Sequence, residues 1–357
     1  MVGPQPTVRQ LAMDLEIRLT HRVDPEAAGE CARMAEALGA RSLWSAEASC
    51  DPFLPLVAVA GASHRLELGT AIAVAFGRSP YVTAQSAWYL HRISGGRMVL
   101  GLGTQVKAHI ERRFGMSWPG AGHALAEYID CVREIWRSWR DGDSPKFEGQ
   151  HWRATLGSPE FTPAPLPEGA GPIPVWIASV GPTLLRIAAR TADGVHFHAF
   201  TTARYLRDTL HPAIAQSRAE AGVSTPFRSA CCVLAGVVHD DEQHQALRAH
   251  FRGIIAFYGS TPTYQPVLDS VGFGDLMPRL RELSRAKAWS AMSALIPDDL
   301  LAEMVLLDSP AELGRKLQAH YGDVLDQISL FRGGDRFMDP SDWHALADSL
   351  KTGTSAS

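Results

Sequence analysis

The sequence lacks the features that mark secreted, membrane-spanning and nucleic-acid-binding proteins. Its five cysteines include no C-x-x-C pair, which argues against a disulfide framework or a zinc site. No run approaches the roughly eighteen apolar residues of a membrane span, and residues 1–9 lack a signal-peptide core. With 34 basic against 38 acidic side chains, there is no basic excess to attract nucleic acid. We therefore expect a cytoplasmic globular protein whose partner is a small molecule.

Short apolar runs alternate with amphipathic helical stretches along the whole chain. Eight runs are predicted to be strands, at 11–17, 42–47, 66–76, 98–103, 175–179, 195–200, 229–238 and 324–331. Strands that alternate with helices and are apolar on both faces pair in parallel. Eight such strands in 357 residues fit an α/β fold of the (β/α)₈ TIM-barrel type better than an open sheet.

Two segments interrupt this alternation, a Pro/Gly-rich one at about 141–174 and one at about 258–320, which is irregular from 258 to 278 and helical after that. We interpret both as insertions in a single domain spanning residues 1–357. We expect the parts at 141–174 and 258–278 to form the substrate pocket. Phe257, Tyr258 and Tyr264 either line that pocket or belong to the core.

Functional groups of such a barrel lie at the carboxyl ends of its strands. The turn Ser179-Val180-Gly181-Pro182 joins a strand to a helix, so its free backbone N–H groups either bind a phosphate or form an ordinary tight turn. Gly103 and Thr104 end another strand without bulk, which either admits a flat ring or only relieves crowding.

Three other polar residues lie on predicted strands or at their carboxyl ends. His196 and His198 share one face of a strand, but zinc needs three or four ligands, so we predict no metal site. They form a polar pair inside the barrel, or His198 contacts the substrate. Glu47 is a candidate general acid, and the alternative is a capped or solvated carboxylate.

Several motifs, in order along the chain, resemble the bacterial luciferase-like superfamily. They are Ser94–Gly103 (SGGRMVLGLG), Leu68–Ala71 followed by Arg78-Ser79-Pro80, and Val180-Gly181-Pro182 followed by Ala192-Asp193-Gly194. Gln105–Gly115 and Ala256–Pro262 look like the branch of deazaflavin (coenzyme F420)-dependent oxidoreductases. The matches cover about residues 10–335.

This resemblance implies a barrel that holds its cofactor ring at the carboxyl ends of the strands, and it implies a homodimer. It also implies a bulge, often with a non-prolyl cis peptide, around Ala73, Val74 and Ala75. The resemblance further places the cofactor phosphate at Val180-Gly181-Pro182 and the ring beside Gly103 and Thr104.

The chain departs from the superfamily's sugar-phosphate dehydrogenases, in which an acidic residue and then a histidine follow strand two. Here the pair is Glu47-Ala48, so that histidine is absent. Proton transfer would then fall to Glu47, with His109 second and His198 third. No matching set of lysines and arginines supports a sugar phosphate as the substrate.

Three functions are consistent with these residues. The leading one is an F420-dependent oxidoreductase that transfers hydride between C5 of the deazaflavin and a small organic substrate. The second is a monooxygenase of the same fold that uses FMN and oxygen, and the third is a ligand-binding barrel without redox chemistry.

Overall fold

A computed structural model describes residues 13–20, 23–179 and 181–352. The strands are β1 Asp14–Arg18, β2 Ser42–Ser45, β3 Glu67–Thr70, β4 Ala73–Val74, β5 Met98–Gly103, β6 Phe147–Glu148, β7 Arg153–Ala154, β8 Val175–Ser179, β9 Gly194–Phe197, β10 Arg228–Val233, β11 Ala235–Val237, β12 Leu306–Asp308 and β13 Gln327–Leu330. The helices are α1 Pro25–Ala37, α2 Leu54–Ala62, α3 Pro80–Ile93, α4 Lys107–Arg112, α5 Gly122–Asp141, α6 Pro182–Thr191, α7 Ala203–Tyr205, α8 His211–Glu220, α9 Asp241–Gly259, α10 Gln265–Ser270, α11 Leu276–Arg285, α12 Trp289–Ala294, α13 Asp298–Met304, α14 Pro310–Tyr321 and α15 Pro340–Thr352.

The strands form a closed parallel barrel. The main sheet has the order β3-β2-β1-β13-β10-β9-β8-β5-β4, and β3 also pairs with β5, which closes a ring of eight strands. The register places Arg18 opposite Trp44 and Trp44 opposite Gly69. This arrangement confirms the predicted (β/α)₈ TIM-barrel fold.

The chain divides into two compact units, which we describe separately. The larger unit contains the described residues of 16–196 and 213–228, and the smaller one contains residues 13–15, 197–212 and 229–352. In the larger unit α3 packs on α5, and the indoles of Trp44 and Trp176 lie 5.4 Å apart in the core. In the smaller unit α14 packs on α15 around buried Tyr321. The predicted single domain stays a prediction.

Strand boundaries follow the prediction where the chain is regular and depart from it where the backbone is unusual. The strands at 98–103 and 175–179 are confirmed. The predicted strand at 66–76 is wrong, because β3 ends at Thr70 and β4 holds only Ala73 and Val74 before a short 3₁₀ turn. The predicted strand at 229–238 is also interrupted, and its second part, β11, pairs with β12 instead.

The Pro/Gly-rich segment at 141–174 contains little regular structure. Its only described strands are β6 and β7, a two-residue antiparallel pair with Phe147 opposite Ala154. The part at 258–278 that was predicted to be irregular contains the short helix α10 and the start of α11, whereas the helical segments predicted after it are confirmed by α11 to α14.

Arg97, from the SGGR motif, joins the end of one helix to the start of β5. Its guanidinium donates hydrogen bonds to the carbonyl oxygens of Ser94, Leu66 and Ser63, at 2.6–2.8 Å. It also bonds the Ser63 hydroxyl at 3.1 Å. Ser63 ends α2, whose last carbonyls have no partner within the helix, so Arg97 satisfies groups that would otherwise be orphaned. This part of the motif therefore serves the fold.

Candidate active site

Glu47 follows β2 in the larger unit, and both of its carboxylate oxygens accept strong hydrogen bonds. The backbone N–H of Val74 donates to Oε2 at 2.6 Å, and Nη2 of Arg78 donates to Oε1 at 2.7 Å. The side chains of Glu47 and Arg78 are almost entirely buried. Because both oxygens are already engaged, this carboxylate holds neighbouring groups in place more readily than it exchanges a proton with a substrate.

Arg78 extends this network. Its Nη1 donates to Asp51 Oδ2 at 3.0 Å, and its guanidinium carbon lies 5.2 Å from the centroid of the Phe53 ring. In the sequence, Arg78 stands out only as part of a family motif. It follows a Phe-Gly turn and precedes the Ser-Pro start of a helix, and this is the local signal that the arginine lies at a strand end.

The predicted bulge begins earlier than expected. The non-prolyl cis peptide joins Ala71 to Ile72, so the position around Ala73 to Ala75 was wrong by two residues. Ala73 and Val74 form β4 and pair with Leu102 and Gly103. Ala73, Val74 and Ala75 are all buried.

Gly103 makes room for a neighbouring side chain. A Cβ atom at this position would lie 2.8 Å from Cδ1 of Ile72, closer than real contacts allow. A planar ring placed against β5 would therefore contact Ile72 as well as the bare backbone at Gly103. Thr104 follows directly, with its hydroxyl turned to the carbonyl of Gln105 at 3.1 Å.

His109 has a defined tautomer because of Gln105. The backbone N–H of Val106 donates to Gln105 Oε1 at 3.1 Å, which identifies that atom as the amide oxygen. Nδ1 of His109 lies 3.1 Å from the same oxygen and must therefore donate to it. In the neutral ring the proton lies on Nδ1, and Nε2 is the hydrogen-bond acceptor.

The turn after β8 leads into an uncapped helix. Gly181 is the N-cap residue of α6, and no described side chain accepts a hydrogen bond from the first turn of that helix. A Cβ atom built at Gly181 meets nothing within 4 Å. Ser179 turns its hydroxyl to the carbonyl of Gly181 at 3.2 Å, Pro182 is the first helical residue, and Val180 lies outside the described residues. The first backbone N–H groups of α6 are thus open to an anion.

His198 lies just beyond β9 in the smaller unit, among aromatic rings. The backbone N–H of Phe200 donates to Nδ1 of His198 at 3.0 Å, so the neutral ring carries its proton on Nε2. The imidazole is 4.6 Å from the ring of Tyr258 and 4.9 Å from that of Tyr264. Burial raises the pKa of both phenols, so they stay neutral hydrogen-bonding groups.

His196 does not share the surroundings of His198. It is buried in the larger unit between Trp44 and Trp176, with ring centroids 4.6 and 4.9 Å away. Burial, assisted by the charge of Arg18, holds the pKa of this imidazole well below its usual value. Among the described residues there is no group of three His, Cys, Asp or Glu side chains arranged to hold a metal ion.

A large cavity of the larger unit lies away from these residues. It encloses about 1050 Å³ and is lined by Trp88, Trp139 and Pro172, together with residues at the amino ends of β8 and β9. In barrels of this kind the carboxyl ends of the strands carry the chemistry. We therefore base the candidate site on the strand ends described above.

Comparison with known proteins agrees with the motifs. Residues 10–327 match the model of the luciferase-like monooxygenase family. The chain belongs to this family. It is 40% identical over 287 residues, 80% of this chain and 84% of the other, to an uncharacterized protein of Mycobacterium tuberculosis. Over the described residues, no helix is long and apolar enough to cross a bilayer.

The luciferase-like fold is also found in solved structures with different cofactors. The chain is similar to the coenzyme F420-dependent tetrahydromethanopterin reductase of Methanopyrus kandleri, with a TM-score of 0.76, 18% identity and coverage of 95% of this chain and 98% of that one. It is likewise similar to a type II Baeyer-Villiger monooxygenase of Pseudomonas putida in complex with FMN, with a TM-score of 0.68, 18% identity and coverage of 96% and 97%.

A flavin or deazaflavin of this luciferase-like family carries a planar ring and a phosphate, and the larger unit has residues that fit both. Among the described residues no side chain caps the N-terminus of α6, and there is open space at Gly181. Gly103 on β5 leaves room for the half-buried side chain of Ile72, which would contact a ring placed there. The histidine expected after strand two in the sugar-phosphate branch is replaced by Ala48.

Proposed function

We propose that the protein is an F420-dependent oxidoreductase that transfers hydride between the deazaflavin and a small organic substrate. The observation that carries this proposal is the uncapped, unobstructed N-terminus of α6 at Gly181, in a chain of the luciferase-like family. The motifs at Gln105–Gly115 and Ala256–Pro262 favour the deazaflavin over FMN. We also propose that the enzyme is cytoplasmic, consistent with its cysteines being free thiols.

The residues of this chain would bind and orient, and the bound cofactor would supply or accept the hydride. The N–H groups of α6 would hold the phosphate, while Ile72, Gly103 and Thr104 would support the ring. Glu47 would keep β4 in position through the Val74 N–H. The aromatic side chains around His198 favour an apolar substrate.

His109 would handle the proton that accompanies hydride transfer in both directions. Nε2 of its neutral ring would accept the proton of an alcohol, and the imidazolium so formed would return it to the carbonyl oxygen in the reverse reaction. This role is a proposal.

The second candidate function is an FMN-dependent monooxygenase. It is supported by the FMN-bound monooxygenase of the same fold. Titration of the purified protein with F420 and with FMN, followed by fluorescence, distinguishes the two. We expect micromolar binding of F420 and at least about tenfold weaker binding of FMN. Binding of FMN alone would overturn the deazaflavin assignment, and binding of neither would favour a barrel without redox chemistry.

The phosphate position has its own test. Gly181→Trp places an indole in open space at the N-terminus of α6 and should raise the cofactor Kd by at least about tenfold. Gly181→Ala is the matched control, because its methyl group meets nothing within 4 Å and should leave the Kd unchanged. Equal affinities of the two variants would remove this turn from the site.

A further inference from the structure

The larger unit has a cavity that the proposed function does not use. It measures about 1050 Å³ and lies at the amino ends of β8 and β9. Because β8 runs from Val175 to Ser179, the cavity and the turn at Gly181 lie at opposite ends of that strand. Pockets that bind small molecules usually have about 300–1,000 Å³, so this one has room for a molecule of several rings.

Aromatic and proline rings are prominent in the wall of this cavity. Four of the nine tryptophans of the chain line it, Trp88 from α3, Trp136 and Trp139 from α5, and Trp176 from β8. The indoles of Trp88 and Trp139 lie edge to face, with their centroids 5.5 Å apart. The segment at 165–174 adds Pro165, Leu166, Pro167, Pro172, Ile173 and Pro174. Indoles and proline rings have few rotatable bonds, so they form a stiff apolar surface.

The proline-rich wall is fixed in position, although the segment at 165–174 contains no helix or strand in the described structure. The indole N–H of Trp88 donates to the carbonyl oxygen of Ala164 at 3.0 Å. The carbonyl oxygen of Gly171 can only accept, so Nε2 of His91, 3.0 Å away, donates to it. Both donors belong to α3 and hold the segment at its start and near its end. The cavity is therefore preformed, as sites for small molecules usually are.

Two of the four arginines in the wall pair with carboxylates beside the strands. Nη2 of Arg133 lies 3.1 Å from Asp193 Oδ2. Nη1 of Arg228 donates to both carboxylate oxygens of Glu67, at 2.9 Å. The guanidinium carbon of Arg228 also lies 5.4 Å from the centroid of the Trp176 ring. Arg228 is thus held by an aromatic ring and by a carboxylate together.

The other two arginines, Arg137 and Arg140 of α5, are also paired. Arg137 donates to Glu134, Asp141 and Asp143 at 2.8–3.1 Å, and Arg140 donates to Asp141 at 2.8 Å. Among the described residues that line the cavity there is no lysine or histidine. An anion would compete with carboxylates already bonded to these guanidinium groups, and a cation would be repelled by them. The lining therefore favours an uncharged ligand.

We propose that this cavity is a binding site for an uncharged aromatic molecule, which packs against the indoles. Aromatic rings gain an edge-to-face or offset-stacked contact with an indole in addition to the apolar area that they bury. The site differs from the candidate active site in its position and in its ligand, so the inference does not rest on the proposed function.

Two fluorescent probes that share their rings and differ in charge test the proposal. N-phenylnaphthylamine is uncharged, whereas anilinonaphthalene sulfonate carries a sulfonate on the same ring system, and both emit strongly only in apolar surroundings. We expect the uncharged probe to bind the full-length protein with a micromolar Kd and about one molecule per chain, and the sulfonate to bind at least about tenfold more weakly. Equal or tighter binding of the sulfonate would overturn the assigned ligand charge.

A substitution at Gly171 tests where the probe binds. Gly171 lines the cavity, its φ lies outside the left-handed region, and a Cβ atom built there meets nothing within 4 Å. Gly171→Trp therefore adds an indole at the cavity without a clash and should raise the Kd of N-phenylnaphthylamine at least about tenfold. Gly171→Ala is the matched control, because its methyl group fills little of the space and should change the Kd by less than about threefold.

Gly181→Trp, at the other end of β8, separates this site from the proposed cofactor site. We expect it to leave the affinity for the probe unchanged, and Gly171→Trp to leave the affinity for F420 and FMN unchanged. If Gly181→Trp weakens probe binding and Gly171→Trp does not, the probe occupies the cofactor site and the inference is wrong. It is also wrong if the wild-type protein binds no probe. If the probe binds as expected but neither F420 nor FMN does, the proposed function is wrong and this inference stands.

Discussion

At the scale of single residues, hydrogen bonds to backbone N–H groups define the chemical state of the candidate site. The N–H of Phe200 makes Nδ1 of His198 an acceptor, and the N–H of Val106 identifies the amide oxygen to which Nδ1 of His109 donates. The two imidazoles therefore carry their protons on opposite nitrogens. Both carboxylate oxygens of Glu47 already accept hydrogen bonds within the protein.

The tautomer of His109 predicts equal losses in both directions of hydride transfer. His109→Gln should lower kcat about 10²–10⁴-fold with an alcohol and with the corresponding ketone, because one group handles the proton in both directions of a reversible reaction. Steady-state rates in both directions check this, and an unchanged kcat would contradict the assignment.

For Glu47 the structure predicts positioning instead of proton transfer. Glu47→Gln weakens the ion pair with Arg78, and loss of a charge-assisted hydrogen bond of about 1.5–3 kcal/mol should raise the cofactor Kd at least about tenfold. We expect kcat at saturating cofactor to fall less than tenfold, and its pH profile to keep its shape.

Asp51→Asn is the matched control for Glu47, because it removes the other carboxylate of Arg78 and leaves the Val74 hydrogen bond intact. We expect only a small change in Kd. A kcat loss of more than about a hundredfold in Glu47→Gln, together with a lost limb of the pH profile, would show that Glu47 carries a proton after all.

At the scale of secondary-structure elements, the ends of helices and strands account for most of the motifs. The SGGR motif ends α3 and gives Arg97 to the last carbonyls of α2, and the turn at Gly181 leaves the N-terminus of α6 without a side-chain cap. One motif is thus structural and the other is open to a ligand, although both consist of small residues next to a helix end.

Arg97→Met should lower the free energy of unfolding by about 2–4 kcal/mol, because the carbonyl oxygens of Ser63, Leu66 and Ser94 lose their donor. Chemical denaturation followed by circular dichroism measures this change. Arg92→Met is the control, since that arginine is exposed in the last turn of α3 and should change the stability by less than about 0.5 kcal/mol. Equal effects of the two substitutions would contradict this account.

At the scale of the whole molecule, one surface of the larger unit is apolar without being covered. Helix α2 has no charged residue, and it packs beside α3. It exposes Leu54 and Val57 at 68% and 44%, and α3 exposes Val82 and Tyr89 beside them. A helix that is apolar all round is normally buried, so we propose this face as the interface of the expected homodimer.

Val57→Asp introduces a charge on that face and should convert a dimer into a monomer, as measured by sedimentation velocity or by size-exclusion chromatography with light scattering. Leu156→Asp is the matched control, because Leu156 is 85% exposed and belongs to the segment at 141–174 instead of α2 or α3. A wild-type monomer, or a dimer that survives Val57→Asp, would rule out this interface.

The sequence by itself determined the barrel and the family. Alternating apolar runs and helix signals report local periodicity, and the motifs at Ser94–Gly103 and Val180–Pro182 are contiguous, so neither needs knowledge of distant contacts. For the same reason the strands at 98–103 and 175–179 were predicted with their observed bounds.

Only the tertiary structure decided what individual side chains can do. Glu47 is bound by Val74 and Arg78, 27 and 31 residues away, and His196 is enclosed by indoles from two other strands. Glu16 and Arg18 are close in sequence, yet only the fold shows that the Glu16 carboxylate in this ion pair is buried. Periodicity is a local property, whereas hydrogen-bond partners, burial and tautomers depend on contacts between distant residues.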